Sequence, residues 1–329
     1  MAEEVTAVHT AKEIKKNPWA SGVQGLVKKV QGNNYKPIPT GISSLDDKVL
    51  GGGFISQQLV GISGKPGAGK TAFGQWLTES MALNRKDFSA VYFCFEMSQE
   101  QLQARSISRL LHGVGKDLTP LEVLQGKDGW AQGAELYSKL YADKVLYLGM
   151  GSGLDTSKGT SLEAIEAKFA ECVRYNHSIG RPAPFFVVDY LQIVKIKGMA
   201  EIEAIGEIMA HLKGLAVKYN TVGLVIIANN REANKGNENN MFSGRGSSSI
   251  EYGLDCMLAL SPNDDDVKSK LKNRRITLSV TKGRWIENAE ASFIFNGASM
   301  SYVEVDKIGR VLNNKEQRIA NDLWRMDEG

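Results

Sequence analysis

The sequence predicts an α/β fold: a mostly parallel central sheet with helices on both faces and an antiparallel extension. Three observations carry it. Short β-rich runs alternate with helical stretches from Pro37 to about Asp306, and alternation of that kind builds parallel strands joined by crossover helices. The octet Gly64-Lys65-Pro66-Gly67-Ala68-Gly69-Lys70-Thr71 lies between an apolar run at 58–62 and a helix-compatible one at 72–83, the strand, loop, helix setting that a phosphate-binding loop needs. Beyond residue 274, three β-rich runs follow one another without long helices between them, so the end of the sheet is expected to be antiparallel.

Composition bounds the answer. A chain of 329 residues, 42% hydrophobic, holds one large α/β domain or two small ones. The balance of 40 basic and 37 acidic side chains gives a net charge of +3, too mild to establish a nucleic-acid partner; any basic surface is local. Cys94, Cys172 and Cys256 are far apart and odd in number, which argues against a disulfide framework or a zinc site; they read as buried thiols in a reducing compartment. The first twenty residues contain acids and lack the apolar core of a secretory signal. Apolar stretches break well short of the ~20 residues of a membrane span. A soluble cytoplasmic protein is expected.

In chain order, residues 1–36 form a lysine-rich N-terminal arm, helix-compatible at 11–16 and 23–30. Val23, Leu26, Val27 and Val30 share one helical face; an isolated helix so short is marginal in water, so that face packs on its own domain or on a neighbouring subunit. The main domain, 37–306, has strands predicted at 58–62, 90–95, 145–148, 185–189 and 222–228, and helices at 72–83, 98–112, 161–178 and 201–219. The extension comprises 275–281, 291–295 and 300–305. Residues 307–329 read as a charged C-terminal tail, helical, with Ile308, Val311 and Leu312 apolar, capping the domain or meeting a partner.

The chemistry starts at the octet. Glycines at 64, 67 and 69 let the backbone fold around an anion, with amide N–H groups turned inward and the helix that starts near Ala72 adding its dipole. Lys70 would reach the β and γ phosphates and the Thr71 hydroxyl would ligate Mg2+. Asp189 ends the apolar strand FFVVD at the sheet's carboxyl edge, either as a metal carboxylate or as a turn or cap residue. Glu96 ends the strand at 91–95; it could activate a water for phosphoryl transfer, or favour the dipole of the next helix from its first turn, and the two are compatible. Asn229 and Asn230 follow the strand at 222–228, placing amides where a γ phosphate could be sensed. The polar stretch at 232–249, with Lys235 and Arg245, is a functional loop or a mobile one. Lys282 and Arg284 flank Gly283 and share a side of an extended chain; they could clamp a phosphate, although spacing alone favours a solvated edge.

These blocks, in order over roughly residues 39–305, resemble the C-terminal RecA-like ATPase domain of DnaB-type replicative helicases. Thr40-Gly41 with Leu45-Asp46 is similar to the family's TG-x-x-x-LD opening, and GKPGAGKTAF to its phosphate loop. Phe95-Glu96-Met97-Ser98 with Gln101-Leu102 and Arg105 resembles LEMS-x-x-QL-x-x-R. Val188-Asp189-Tyr190-Leu191-Gln192 is close to VIDYLQ, Ser249-Ile250-Glu251 with Asp255 resembles G-x-IE-x-x-AD, and Lys282-Gly283-Arg284 matches K-x-R.

The resemblance implies an ATP- and Mg2+-dependent helicase that moves on single-stranded DNA as a homo-oligomer, expected to be a hexamer, with a primase or loader as a further partner. It makes Glu96 the catalytic carboxylate and sends Lys282 and Arg284 to the γ phosphate of the adjacent subunit. Arg245, with Gly246 and Ser248 beside it, falls where the family holds DNA by its phosphates. The chain departs from the pattern at Ala228-Asn229-Asn230, where the family has a Ser-Gln pair, and at Gly246 and Ser248, where it has a glutamate and a glycine. On this resemblance, the family's helical N-terminal domain is expected to have no counterpart here beyond the arm at 1–36. Two rivals share the core: a RecA- or KaiC-like ATPase that does not unwind, and a helicase loader or binding module.

Overall fold

The computed structural model describes residues 18–32, 35–156, 159–196, 198–228, 247–284, 286, 289–306, 308–312 and 318–323. The chain divides into two units, 1–37 and 38–329. In the first, α1 (Pro18–Gln31) extends the predicted helix backward to Pro18. Its Val23, Leu26, Val27 and Val30 are exposed.

The second unit is built on a nine-stranded sheet. Its parallel part comprises β1 (Leu59–Gly64), β2 (Ala90–Ser98), β3 (Val145–Met150), β6 (Phe185–Asp189), β8 (Gly223–Ile226) and β9 (Cys256–Pro262); β10 (Asn273–Gly283), β11 (Glu290–Asn296) and β12 (Ser301–Val305) complete it antiparallel. The spatial order is β12-β11-β10-β9-β1-β8-β6-β2-β3. Strands β4 (Asp155–Thr156), β5 (Gly159–Ser161) and β7 (Val194–Lys195) form a separate small sheet. Parallel strands covered on both faces are apolar throughout, and β1 and β6 are buried at every position.

The period of two along each strand splits the core into two layers. Tyr92, Leu224 and Ile226 face a layer with Phe73, Trp76 and Leu77 of α2 (Lys70–Asn84). Val91, Phe93, Val225 and Ile227 face the other, under α6 (Leu162–Ser178) and α7 (Glu201–Lys218). Each large side chain buried this fully contributes about 2 kcal/mol.

Local chemistry sets the element ends. Ser98 and Gln101 form a reciprocal capping box at the start of α3 (Gln99–Gly113), so the Ser-x-x-Gln of the family-like block is a helix-start signal. The Asp46 carboxylate accepts from Thr40 N and Oγ1, each at 2.8 Å, and from Gly41 N at 2.9 Å, so turn geometry accounts for the spacing of the Thr-Gly and Leu-Asp pairs. Between α2, α3 and β3 lies a buried polar knot: Glu79 pairs with Arg109 and accepts from Ser106 and Tyr147, while Gln75 Nε2 donates to Leu102 O at 3.0 Å.

Several elements go beyond the sequence-based expectation. Strand β9 follows Asp255 directly and pairs with β1; its uninterrupted apolar run shows neither helical nor strand periodicity. Helices α4 (Pro120–Leu124) and α5 (Trp130–Tyr141) occupy the stretch between α3 and β3, and α8 (Ser247–Gly253) and α9 (Asp264–Lys268) are similarly short. The terminal helix is shorter than expected: Val311 bridges Val305, and among the described residues only 318–323 is helical there. Ala320 joins the core, whereas Ile308 and Val311 are exposed. Cys94 and Cys256 are buried as expected and Cys172 is half-buried. Burial pushes the Cys94 and Cys256 thiols up to about 12.

Candidate functional site

The carboxyl edge of the parallel strands opens into a cleft of about 430 Å³, the size of a small-molecule site. Its floor is the phosphate loop. Gly67 and Gly69 take left-handed φ values of +78° and +88°, and no side chain caps α2 at Gly69 and no acid stands in its first turn, so its first N–H groups are left for an anion. Of the loop, Pro66, Gly67, Gly69, Lys70, Thr71 and Ala72 line the cleft, while Ala68 is buried beneath and Lys65 faces outward to Asp264 at 3.5 Å. Lys70 Nζ donates to Gly64 O at 2.9 Å. Burial pulls the Lys70 ammonium below its ordinary range, and the charges of Asp189 and Glu96 oppose that.

Register brings the two carboxylates to the loop. Cys94 of β2 pairs with Asp189 of β6, so Glu96 stands two residues further out on the same edge and is exposed. Asp189 is buried; Tyr92 Oη donates to its Oδ2 at 2.9 Å, and the Thr71 side chain hydrogen-bonds to it. Burial raises the Asp189 carboxyl to about 6, opposed by the Tyr92 and Thr71 bonds, with the Glu96 charge raising it further and Arg105 lowering it. Lys70, Thr71, Ala72, Glu96 and Asp189, drawn from separate segments of the sequence, thus meet at one place. Ala228, just past β8, lines the same cleft. Asn229, Asn230, Arg245 and Gly246 lie outside the described residues, and Ser248 lies in the first turn of α8 with its side chain outside the description.

Lys282 and Arg284 are elsewhere. Strand β10 runs antiparallel to β9, with Lys282 opposite Met257 and Gly283 opposite Cys256, at the amino edge of the parallel strands. Lys282 Nζ donates to Glu251 O, and Arg284 Nη1 is 3.5 Å from Asp255 Oδ1 with its side chain 51% exposed. Asp255 is itself a fixed point of that edge, buried and accepting from Leu59 N at 2.8 Å. Neither cation lines the cleft of its own chain.

Several cleft residues had no assigned role in the sequence, among them Arg105 of α3, Arg274 of β10, Phe295 of β11 and Met300 of the β11–β12 turn. Arg274 did leave a signal. It continues the inward row Ile276, Leu278, Val280, where a charge is out of place unless it serves a cleft.

With this geometry in place, the sequence pattern of the DnaB-like helicase C terminal domain matches residues 37–304. The chain belongs to that family. A replicative DNA helicase DnaB of Pasteurella multocida is 30% identical over 197 residues, 58% of this chain and 38% of that protein. The chain spans about two-fifths of the length of the relatives it matches, 38% and 40% for two of them. Among solved structures, one isolated ATPase domain superposes with a TM-score of 0.70 at 17% identity, covering 88% of this chain and 99% of that one. A DnaB-like replicative helicase, described together with its interactions with primase, gives 0.69 at 18%, covering 91% and 74%. These two share the fold, a RecA-like ATPase sheet of the DnaB-like kind. Among the described residues no helix is long and apolar enough to cross a membrane.

Proposed function

We propose that the chain is the motor of an ATP-dependent replicative DNA helicase, translocating on single-stranded DNA as a homo-oligomeric ring, a hexamer in the family's manner, in the cytoplasm. The observation that carries this reading is the separation of the phosphate chemistry between two edges of the sheet. Lys70, Thr71, Glu96 and Asp189 meet in the cleft, whereas Lys282 lies eight residues along β10 from cleft-lining Arg274, about 27 Å of strand. A cation that far off cannot touch a phosphate in its own cleft. It can touch one in the cleft of a neighbour, as closing a ring head to tail would arrange.

In this reading Lys70 and the loop amides hold the β and γ phosphates. Glu96 takes the proton of a water whose oxygen attacks the γ phosphorus, and ADP leaves with the bridging electrons. Lys282 and Arg284 of the adjacent copy meet the charge that develops on the γ oxygens. The donor set suits Mg2+: Thr71 and the buried Asp189 offer hard oxygens, and one buried carboxylate plus phosphate oxygens is a usual magnesium set. When bound, that ion neutralises charge on the phosphate oxygens. Asn229 or Asn230 would sense the γ phosphate, and Arg245, with Gly246 and Ser248, would grip the DNA backbone. The arm at 1–36 would dock on a neighbouring subunit, with 37–306 as the ATPase domain and 307–329 as its tail; a primase or loader would bind the assembly.

Strand displacement on a forked duplex, run with ATP and with Lys70→Ala as the control, tests the reading. Unwinding that disappears in Lys70→Ala is expected, alongside a DNA-dependent hexamer in solution mass measurements. ATP turnover with no unwinding would instead favour a RecA-type switch, and negligible turnover with a stable complex to another replication protein would favour a loader.

A further inference from the structure

Strand β2 is buried from Ala90 to Phe95, yet it carries a phenol at Tyr92, wholly shielded from solvent. A buried tyrosine needs a partner for its hydroxyl. Register supplies one. Tyr92 stands opposite Val187 and Cys94 opposite Asp189 of β6, so Asp189 is the diagonal neighbour of Tyr92, within reach of a long side chain. Tyr92 Oη donates to Asp189 Oδ2 at 2.9 Å and makes a longer contact of 3.4 Å to Thr71 O. Both neighbours are acceptors, so the hydroxyl serves as the donor.

The space for that hydroxyl is made by α2. Gly74, one turn on from Lys70, is buried inside the helix, where glycine is a poor helix former and calls for a packing reason. A Cβ there would meet Tyr92 Oη and Ile226 Cδ1, each at 3.1 Å. The Ile226 methyl is the tip of a flexible side chain and can turn aside, whereas the hydroxyl is held by its bond to Asp189. The phenol is therefore fitted between the helix that leaves the phosphate loop and the carboxylate at the end of β6.

Asp189 lines the cleft and Tyr92 does not, so the carboxylate is gripped from the core side by a group that meets nothing bound in the cleft. Such partners fix the orientation of a ligating carboxylate. On the reading of Asp189 as the magnesium carboxylate of a nucleotide site, we propose that Tyr92 is its positioning residue: the hydroxyl, seated in the gap at Gly74, holds the Asp189 carboxylate in place to ligate the cation.

Calorimetric titration of the full chain with a nonhydrolysable ATP analogue, in EDTA and at a series of free Mg2+ concentrations, tests this without turnover. Tyr92→Phe deletes only the hydroxyl. Its affinity in EDTA is expected to stay within about twofold of wild type, while the Mg2+ concentration giving half the metal-dependent gain rises about tenfold, the lower end of what loss of such a partner does. Gly74→Ala, which crowds the hydroxyl from the helix side, is expected to raise the same midpoint and to add less than about twofold in the Tyr92→Phe background. An unchanged Mg2+ midpoint in Tyr92→Phe overturns the proposal and leaves the phenol a core side chain. Equal losses in EDTA and in Mg2+ overturn it as well, making the hydroxyl a support of the phosphate loop through Thr71 O. Fully additive effects of the two substitutions overturn the seating at Gly74. Cooperative thermal unfolding shows that each variant is folded. A wild-type chain that does not bind the analogue sinks the nucleotide reading itself, and one that binds equally with and without Mg2+ sinks Asp189 as a metal ligand. Binding that strengthens with Mg2+, with the gain lost in Asp189→Asn, upholds that reading and leaves Tyr92→Phe to decide the positioning role alone.

Discussion

The parallel strands and the antiparallel extension contribute to one cleft in different ways. In the parallel part, every strand points the same way, so the chain leaves β1, β2 and β6 at the same edge, and Lys70, Glu96 and Asp189 gather without any special device. In the extension, alternate strands run in opposite directions, so a single strand reaches both edges. Strand β10 carries Arg274 at the cleft end and Lys282 at the other, with Arg284 just beyond. Reversing strand direction thus lets one segment line its own cleft at one end and, in the proposed ring, would let it present cations to another copy at the other.

The largest effect expected from that difference is at Arg284. Arg284→Ala should lower ATP turnover about a thousandfold or more, as loss of a finger supplied in trans does, with ATP affinity within about threefold of wild type, a change worth less than ~1 kcal/mol. Steady-state phosphate release and equilibrium titration check the two halves of that statement. Retained hydrolysis by a dilute, strictly monomeric Arg284→Ala protein would remove the assignment in trans and, with it, the contrast between the two ends of β10.

Glu96→Gln is the counterpart in the parallel part, with turnover lower by about 10²–10⁴ and nucleotide still bound. Mixing it with Arg284→Ala sharpens the comparison. If one residue acts in cis and the other in trans, mixed assemblies contain clefts with an intact Glu96 and an intact neighbouring Arg284, and activity returns above either parent. If both act in cis, no cleft is whole and mixing restores nothing.

The parallel part also has an ion pair buried at both ends, whereas in the extension Arg275 pairs with a buried Asp266 from an exposed position. Glu79 is fully buried, and Arg109 nearly so, between the helix that leaves the phosphate loop and the helix that follows Glu96. Removing one partner strands a charge in the core, so Arg109→Met should cost about 3–5 kcal/mol of stability, read from urea midpoints. The double variant Glu79→Leu, Arg109→Met should recover much of that loss. A small loss in the single variant would mean the two helices are held by apolar packing alone.

Legibility in the sequence followed the same division. The glycines of the phosphate loop and the strand ends at Glu96 and Asp189 were readable because anion binding and edge placement demand particular residues at fixed spacings, and the structure brings them together. Strand β9 was not readable, since a fully buried parallel strand has no alternation to reveal it. The Glu79–Arg109 pair was hidden too: its members are 30 residues apart on different helices, and either alone reads as a solvated charge. Arg274, Phe295 and Tyr302 become neighbours only through antiparallel register, which no single segment encodes. The inward parity of Arg274 was present in the chain, a signal interpretable only once the cleft is known.

The smallest effect tests whether the extension only covers the cleft or also shapes it. Burial holds the proton on the Tyr302 phenol far above any working pH, so it is a donor throughout, and its acceptors are the Gly69 and Ala68 carbonyls at 3.1 and 3.4 Å. Tyr302→Phe keeps the ring, its stack on Phe295 and nearly all of its volume, and deletes that one link between β12 and the loop. A neutral hydrogen bond of this kind contributes about 1 kcal/mol. Because the link ends on Gly69, the residue just before α2, its loss should appear as a rise of about fivefold in the KM for ATP, with kcat little changed, since Glu96 and Asp189 stand on the far side of β1. Were the extension only a lid on the core, the same substitution would lower the thermal midpoint slightly and leave KM where it was; that result would reduce β10–β12 to a scaffold for Lys282 and Arg284.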